Sequence, residues 1–104
     1  MLTVDEIRTI VTPLVEPFPV VRVILFGSYA RGEATEKSDV DLVIDSEGVI
    51  DSWELFGLIG RIVKKMPIGV DVFELDEVKR PSDMFNSISN EGIVIYERKH
   101  EETA

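Results

Sequence analysis

Gly27-Ser28-Tyr29-Ala30-Arg31-Gly32, followed after five residues by Ser38-Asp39-Val40-Asp41-Leu42, is the stretch on which the reading of this chain turns. An apolar run, Val20 to Phe26, leads into it, and a Gly-Ser at the end of such a strand suits a tight turn into a short helix. Backbone N–H groups at a turn of this kind point outward. They bind phosphate oxygens, helped by the helix N-terminal partial charge and the Ser28 hydroxyl, and Gly27 lets an anion approach a backbone that has no Cβ. Val40 to Asp45 reads as a strand, in which side chains at i and i+2 share a face about 6 to 7 Å apart. Asp39 and Asp41 therefore aim together. Two carboxylates on one face repel each other and hold their protons more tightly unless a cation lies between them, and hard oxygen donors favour Mg2+ or Mn2+.

The remaining segments fall around this pair. Thr3-x-x-Glu6 is a capping box with Leu2 and Ile7 placed as a hydrophobic staple, and Val4, Ile7, Ile10, Val11 and Leu14 form one apolar stripe of a helix. Pro13, Pro17 and Pro19 then remove backbone donors and end regular helix in that stretch. Glu33 to Lys37 is a short polar loop. Asp51-x-x-Glu54 opens a second long helix to about Lys65, with Trp53, Leu55, Phe56, Leu58, Ile59, Ile62 and Val63 on a broad apolar face and Lys64 and Lys65 suiting its C-terminal dipole. Gly57 and Gly60 inside it cost about 1 kcal/mol each relative to Ala, which predicts close packing of this helix against the sheet or a partner. Pro67 stops it. Ile68 to Leu75 reads as a strand, Pro81-Ser82 opens a last helix through Glu91, Gly92 is its C-cap, and Ile93 to Tyr96 is a final strand. The order αβαβαβαβ makes an α+β fold with an α/β-like alternation, a small sheet packed with helices in two layers or so.

Composition narrows the function. The 104 residues make one domain, 1–104, whose end from about residue 98 is charged and frayed. A net charge of -9 disfavours nonspecific binding to nucleic acid, which needs a basic surface, and suits a basic protein partner or simple solubility. With no cysteine, disulfides and zinc–thiolate sites are excluded. No basic leader and no apolar run near the roughly 20 residues of a membrane span is present, so a soluble cytoplasmic protein is expected, with no membrane partner.

The motif Gly27-Ser28-x-x-Arg31-Gly32 with Ser38-Asp39-x-Asp41-Leu42 resembles the signature of the DNA polymerase beta-type nucleotidyltransferase superfamily. Within it the chain is most similar to the minimal nucleotidyltransferases (MNT) that act as antitoxins to HEPN-domain toxins. Eight positions match at fixed spacing. The resemblance implies the nucleotidyltransferase fold with a mixed sheet. It also implies a third carboxylate on a later strand, which Asp71 in Ile68-Gly69-Val70-Asp71-Val72-Phe73 fits. Asp39, Asp41 and Asp71 then become metal ligands and catalytic residues, with Asp71 the general base, and Gly27 and Ser28 bind the nucleotide's phosphates. Arg31 is placed between two roles, a contact to nucleotide phosphate and a structural ion pair. Tyr29 and Lys37 are expected at the surface, and His100, in the charged tail, outside the chemistry.

The implied activity is transfer of AMP from ATP to a hydroxyl, with Mg2+ as two ions, or Mn2+, as cofactor. So short a chain holds little beyond a catalytic core, so the acceptor is presented from outside. A tyrosine of a HEPN toxin is the acceptor that the resemblance implies. A small-molecule transferase acting on an aminoglycoside-type drug, and a non-catalytic antitoxin that neutralises its toxin by contact, are the alternatives. The base preference and the oligomeric state, a homo-oligomer included, stay open at this stage.

Overall fold

The Thr3 side chain accepts a hydrogen bond from Glu6 N at 3.1 Å and Glu6 Oε1 accepts one from Thr3 N at 2.9 Å, so two orphan donors of a helix start are satisfied reciprocally. This capping box opens α1, Val4–Val15, in the computed structural model, which describes residues 1–98. Pro13 sits in the last turn of α1, where the helix is ending anyway, and the helix runs on to Val15. There follow β1 (Arg22–Phe26), α2 (Ser28–Arg31), β2 (Val40–Asp45), α3 (Ser52–Lys65), β3 (Val70–Glu74), a 3-10 turn (Leu75–Glu77), α4 (Asp83–Glu91) and β4 (Ile93–Glu97). A second capping box, Asp51 with Glu54, begins α3. Ser82 accepts from Phe85 N at 3.0 Å at the start of α4.

The four strands form one sheet in the order β3-β2-β1-β4. β1 is antiparallel to both β2 and β4, whereas β2 and β3 are parallel, because α3 carries the chain back to the sheet end where β2 began. The sheet is therefore mixed, as expected. Alternation along β2 puts Val40, Leu42 and Ile44 on one face, where they pack with Ile7, Val11 and Val15 of α1 and Leu58 and Ile62 of α3. Val43 and Phe26 point to the other face, against Ile88 of α4 and Val78. That second cover is partial. It adds an incomplete third layer to the expected two and leaves the N-terminal ends of β2 and β3 open.

One local expectation holds for another reason, and two are corrected. Gly92 does cap α4, but with φ -62° it needs no left-handed conformation. It is small because a Cβ there would overlap Ile88 O and the Ile24 side chain. On α3, only Leu58 and Ile62 are fully buried and Leu55 and Ile59 in part, while Trp53, Phe56 and Val63 stay 85%, 67% and 52% exposed. A Cβ at Gly57 or Gly60 would meet nothing within 4 Å, so neither glycine packs on the sheet. Arg98 is held in place, its N–H donating to Val21 O at 2.7 Å and its guanidinium to Glu16 O at 2.7 Å. The rest of the expected tail, with His100, lies outside the described residues. Among those described, no helix is long and apolar enough to cross a membrane.

Candidate active site

Asp41 stands directly opposite Asp71 on the parallel strand β3 and opposite Phe26 on β1. Residues paired across strands point to one face, so both carboxylates emerge on the α4 side, at the end of the sheet that α4 leaves uncovered. Asp39 lies just before β2 and, two residues from Asp41, turns to the same side. The structure thus brings together the three aspartates expected from the sequence. Asp39 and Asp71 are exposed, and Asp41 is half-buried between them and the β1–α2 turn.

The electrostatics follow from that placement. Burial is the largest cause raising the Asp41 pKa above its ordinary value, the negative charges of Asp71 and then Asp39 push it the same way, and Arg31 opposes them. As the side chains stand, no three His, Cys, Asp or Glu groups among the described residues converge into a metal-binding set. The donor chemistry nevertheless fits a hard divalent cation, since all three groups are carboxylates and they already repel one another across this end of the sheet. Asp39 and Asp71 are exposed, and exposed side chains change rotamer on the nanosecond scale or faster.

The turn between β1 and α2 is shaped by these carboxylates. Gly27 has φ +74°, a conformation costly for residues with a Cβ, and a Cβ there would overlap Asp41 Oδ2 and lie 3.3 Å from Asp41 Cγ. Gly27 O accepts from Ala30 N and Arg31 N, each at 3.1 Å, and Gly32, at φ +74°, ends the single turn of α2. One turn carries little macrodipole, so any anion held here rests on the unpaired first N–H groups and the Ser28 hydroxyl. Thr35 N donates to Ser38 Oγ at 2.8 Å and Ser38 N to Thr35 O at 3.0 Å, so Ser38 of the motif shapes the loop that delivers Asp39.

Arg31 donates to Glu33 and Glu91, each at 3.1 Å, and these bonds raise its pKa further above its already high value, Glu91 contributing most. Of its two expected roles, the ion pair is the one this conformation displays. Tyr29, expected at the surface, is buried in the core beneath α2. Its side chain takes the inward position of that single turn. Lys37 is exposed as expected.

Two residues at the site were not singled out from sequence. Glu91, at the end of α4, reaches Arg31 through tertiary contact and left no local signal. Gly69 precedes β3; its carbonyl accepts from Val40 N at 2.9 Å, and a Cβ on it would overlap Asp39 Oδ1 and lie 3.0 Å from Asp39 Cγ. A glycine inside an apolar strand pattern marks close approach of another group, and that signal was available.

Residues 5–96 match the nucleotidyltransferase domain family. Over 85 residues, covering 78% of this chain and 87% of the relative, it is 34% identical to "Putative protein adenylyltransferase MJ0128" of Methanocaldococcus jannaschii. It is 49% identical over 53 residues to the protein adenylyltransferase MntA of Thermococcus cleftensis, covering 47% of this chain and 54% of that one. In fold it is similar to a chain of a toxin–antitoxin crystal structure with AMP-PNP, at TM-score 0.73 and 17% identity over 88% of this chain and 74% of that one. It is also similar to a chain of the tri-AMPylated Shewanella oneidensis HEPN toxin in complex with MNT antitoxin, at TM-score 0.68 and 14% identity over 92% and 74% of the two chains.

Proposed function

The chain belongs to the nucleotidyltransferase domain family, as a minimal nucleotidyltransferase, and from that membership we propose that it transfers AMP from ATP to a tyrosine hydroxyl of a HEPN-type toxin, as the antitoxin of the pair. The observation that carries this reading is the side-by-side placement of Asp41 and Asp71 on one face of the sheet, with Asp39 beside them, next to the Gly27-Ser28 turn. The names of the relatives, protein adenylyltransferases, and the toxin–antitoxin neighbours in fold support both the reaction and the partner.

In this proposal Ser28 Oγ and the first N–H groups of α2 donate to the β- and γ-phosphates, while Gly27 keeps the approach clear. Asp39 and Asp41 would hold one divalent ion on the triphosphate and, with Asp71, a second. Mg2+ is the best candidate, with Mn2+ able to replace it. Bound there, such ions would neutralise charge on the attacking and leaving oxygens. Asp71, exposed on the edge strand β3, takes the proton of the acceptor hydroxyl. That oxygen attacks the α-phosphorus in line, the bond to the bridging oxygen breaks, and pyrophosphate leaves with the bonding pair. Arg31, tied to Glu33 and Glu91, holds α2 in place and tempers the negative field at Asp41. The whole chain acts as one domain that brings the nucleotide and leaves the acceptor to its partner.

The test is incubation of the chain with a HEPN toxin encoded beside it, ATP and Mg2+, followed by intact-mass measurement. The toxin should gain one or more adenylyl units, and Asp71→Asn should stop the gain while the two proteins still associate. Neutralisation without a mass change, equal in Asp71→Asn, would overturn the transferase reading in favour of inhibition by contact.

A further inference from the structure

We propose that the exposed face of α3 is a two-fold interface between two copies of this chain, paired antiparallel about a point between Gly57 and Gly60. At about 100° per residue, Trp53, Phe56, Gly57, Gly60, Val63 and Lys64 fall on one stripe, opposite Leu55, Leu58 and Ile62, which face the core. Single exposed apolar residues are ordinary, but here three line one stripe of one helix, at 85%, 67% and 52% exposure. From their size these three offer on the order of 400 Å² of apolar surface. At Phe56 the stripe continues into a groove of about 490 Å³ bordered by Leu55, Ile59, Val72, Phe73 and Met84.

The glycines point to another backbone as the occupant. Each weakens α3, and nothing in the described chain occupies the space where its Cβ would stand. Two glycines on an open helix face allow the axis of a second helix to approach more closely than the usual 8 to 10 Å.

Charge then selects a second copy as that helix. The chain carries a net charge of -9, so two copies brought together at random repel, yet α3 is acidic at its start, with Asp51 and Glu54, and basic at its end, with Arg61, Lys64 and Lys65. Glu54, Arg61 and Lys65 lie within about 40° of one another on the helical wheel, on one flank of the stripe. When two identical helices pair antiparallel about a two-fold axis, each flank meets the same flank of the other. Glu54 of each copy is thereby set beside Arg61 and Lys65 of the second copy, twice over. Arg61 is already steadied at this flank, its guanidinium carbon 5.5 Å from the Phe18 ring centre. Phe56 and Val63 share the opposite flank, where Phe56 of each copy is set beside Val63 of the other, while Trp53 lies across the end of the second helix near Lys64. A contact of this area is at the low end of specific interfaces, so the dimer is a concentration-dependent one.

Sedimentation velocity on the chain alone, from low micromolar to submillimolar concentration, tests this. A monomer–dimer equilibrium is expected, weakened at least tenfold by Phe56→Ser and by Gly60→Leu, with neither variant melting much earlier than the parent at concentrations where the parent is monomeric. Lys65→Glu and Glu54→Lys should each weaken self-association, and mixing the two variants should restore dimers, since each then presents the charge that the other lacks. A monomer at every concentration would overturn the proposal, including one whose α3 is covered only when a toxin is added. So would a dimer indifferent to Phe56→Ser and Gly60→Leu, or a charge-variant mixture that dimerises no better than its components. None of these outcomes depends on whether the chain transfers AMP.

Discussion

The backbone of Gly69 lies so close to the Asp39 carboxylate that a Cβ on it would overlap Oδ1 and sit 3.0 Å from Cγ. Gly69 is not in a left-handed conformation, so Gly69→Ala meets no backbone penalty and acts by pushing Asp39 aside. The variant should fold normally and lose about tenfold in affinity for Mg2+ and a non-hydrolysable ATP analogue, roughly 1.4 kcal/mol. Calorimetry on Gly69→Ala, Asp39→Asn and the double variant checks the route. Losses that simply add would show that Gly69 does not act through Asp39.

Gly27 differs from Gly69 because its φ of +74° adds a backbone cost to the overlap with Asp41. A side chain there pays on the order of 1 to 3 kcal/mol for backbone angles (φ 74°, ψ -154°) that are essentially glycine's alone. Gly27→Val should therefore lower the melting temperature and abolish nucleotide binding together. Ser28→Ala should leave melting unchanged and weaken binding by about 1 to 3 kcal/mol, the loss of one hydrogen bond to a charged group. Equal nucleotide affinity in the two variants would remove this turn as the phosphate site.

Asp41 holds its proton more tightly in the folded chain than in the unfolded one, chiefly through burial and then through Asp71 and Asp39. The folded state is therefore penalised once the unfolded side chain ionises, near its usual pKa of about 4. Stability falls as pH rises from there through the raised folded value, and the penalty is fully present at neutral pH. In chelator-treated protein, Asp41→Asn should raise the melting temperature at pH 7 by a few degrees, and the gain should vanish below about pH 4. Thermal melts across that range would contradict the assignment if the gain persisted in acid.

Gly92 makes a different demand, because a Cβ there would overlap Ile88 O and the Ile24 methyl. Gly92→Ala should cost about 1 to 3 kcal/mol, as overpacking does. Gly92→Asn, which a left-handed helix end would tolerate, should be no better. Urea unfolding of the two variants distinguishes overlap from a capping conformation.

The elements of this fold were largely legible in the chain because their causes are local. Capping boxes at Thr3 and Asp51, the strand alternation from Val40 to Asp45 and the stop at Pro67 act within a few residues, and each appears where it was read. The motif named Asp39 and Asp41, with Gly27 and Ser28 at the turn, and the resemblance it carries added Asp71. Which strands are neighbours is a long-range choice, so only the tertiary structure put Asp71 opposite Asp41 and raised the Asp41 pKa. The Arg31–Glu91 ion pair, the burial of Tyr29 and the closeness of Gly69 to Asp39 likewise depend on segments far apart in sequence. The apolar periodicity of α3 identified its side chains without saying how many the sheet could reach. A helix lying on a sheet covers one side only, and that left Trp53, Phe56 and Val63 facing outward.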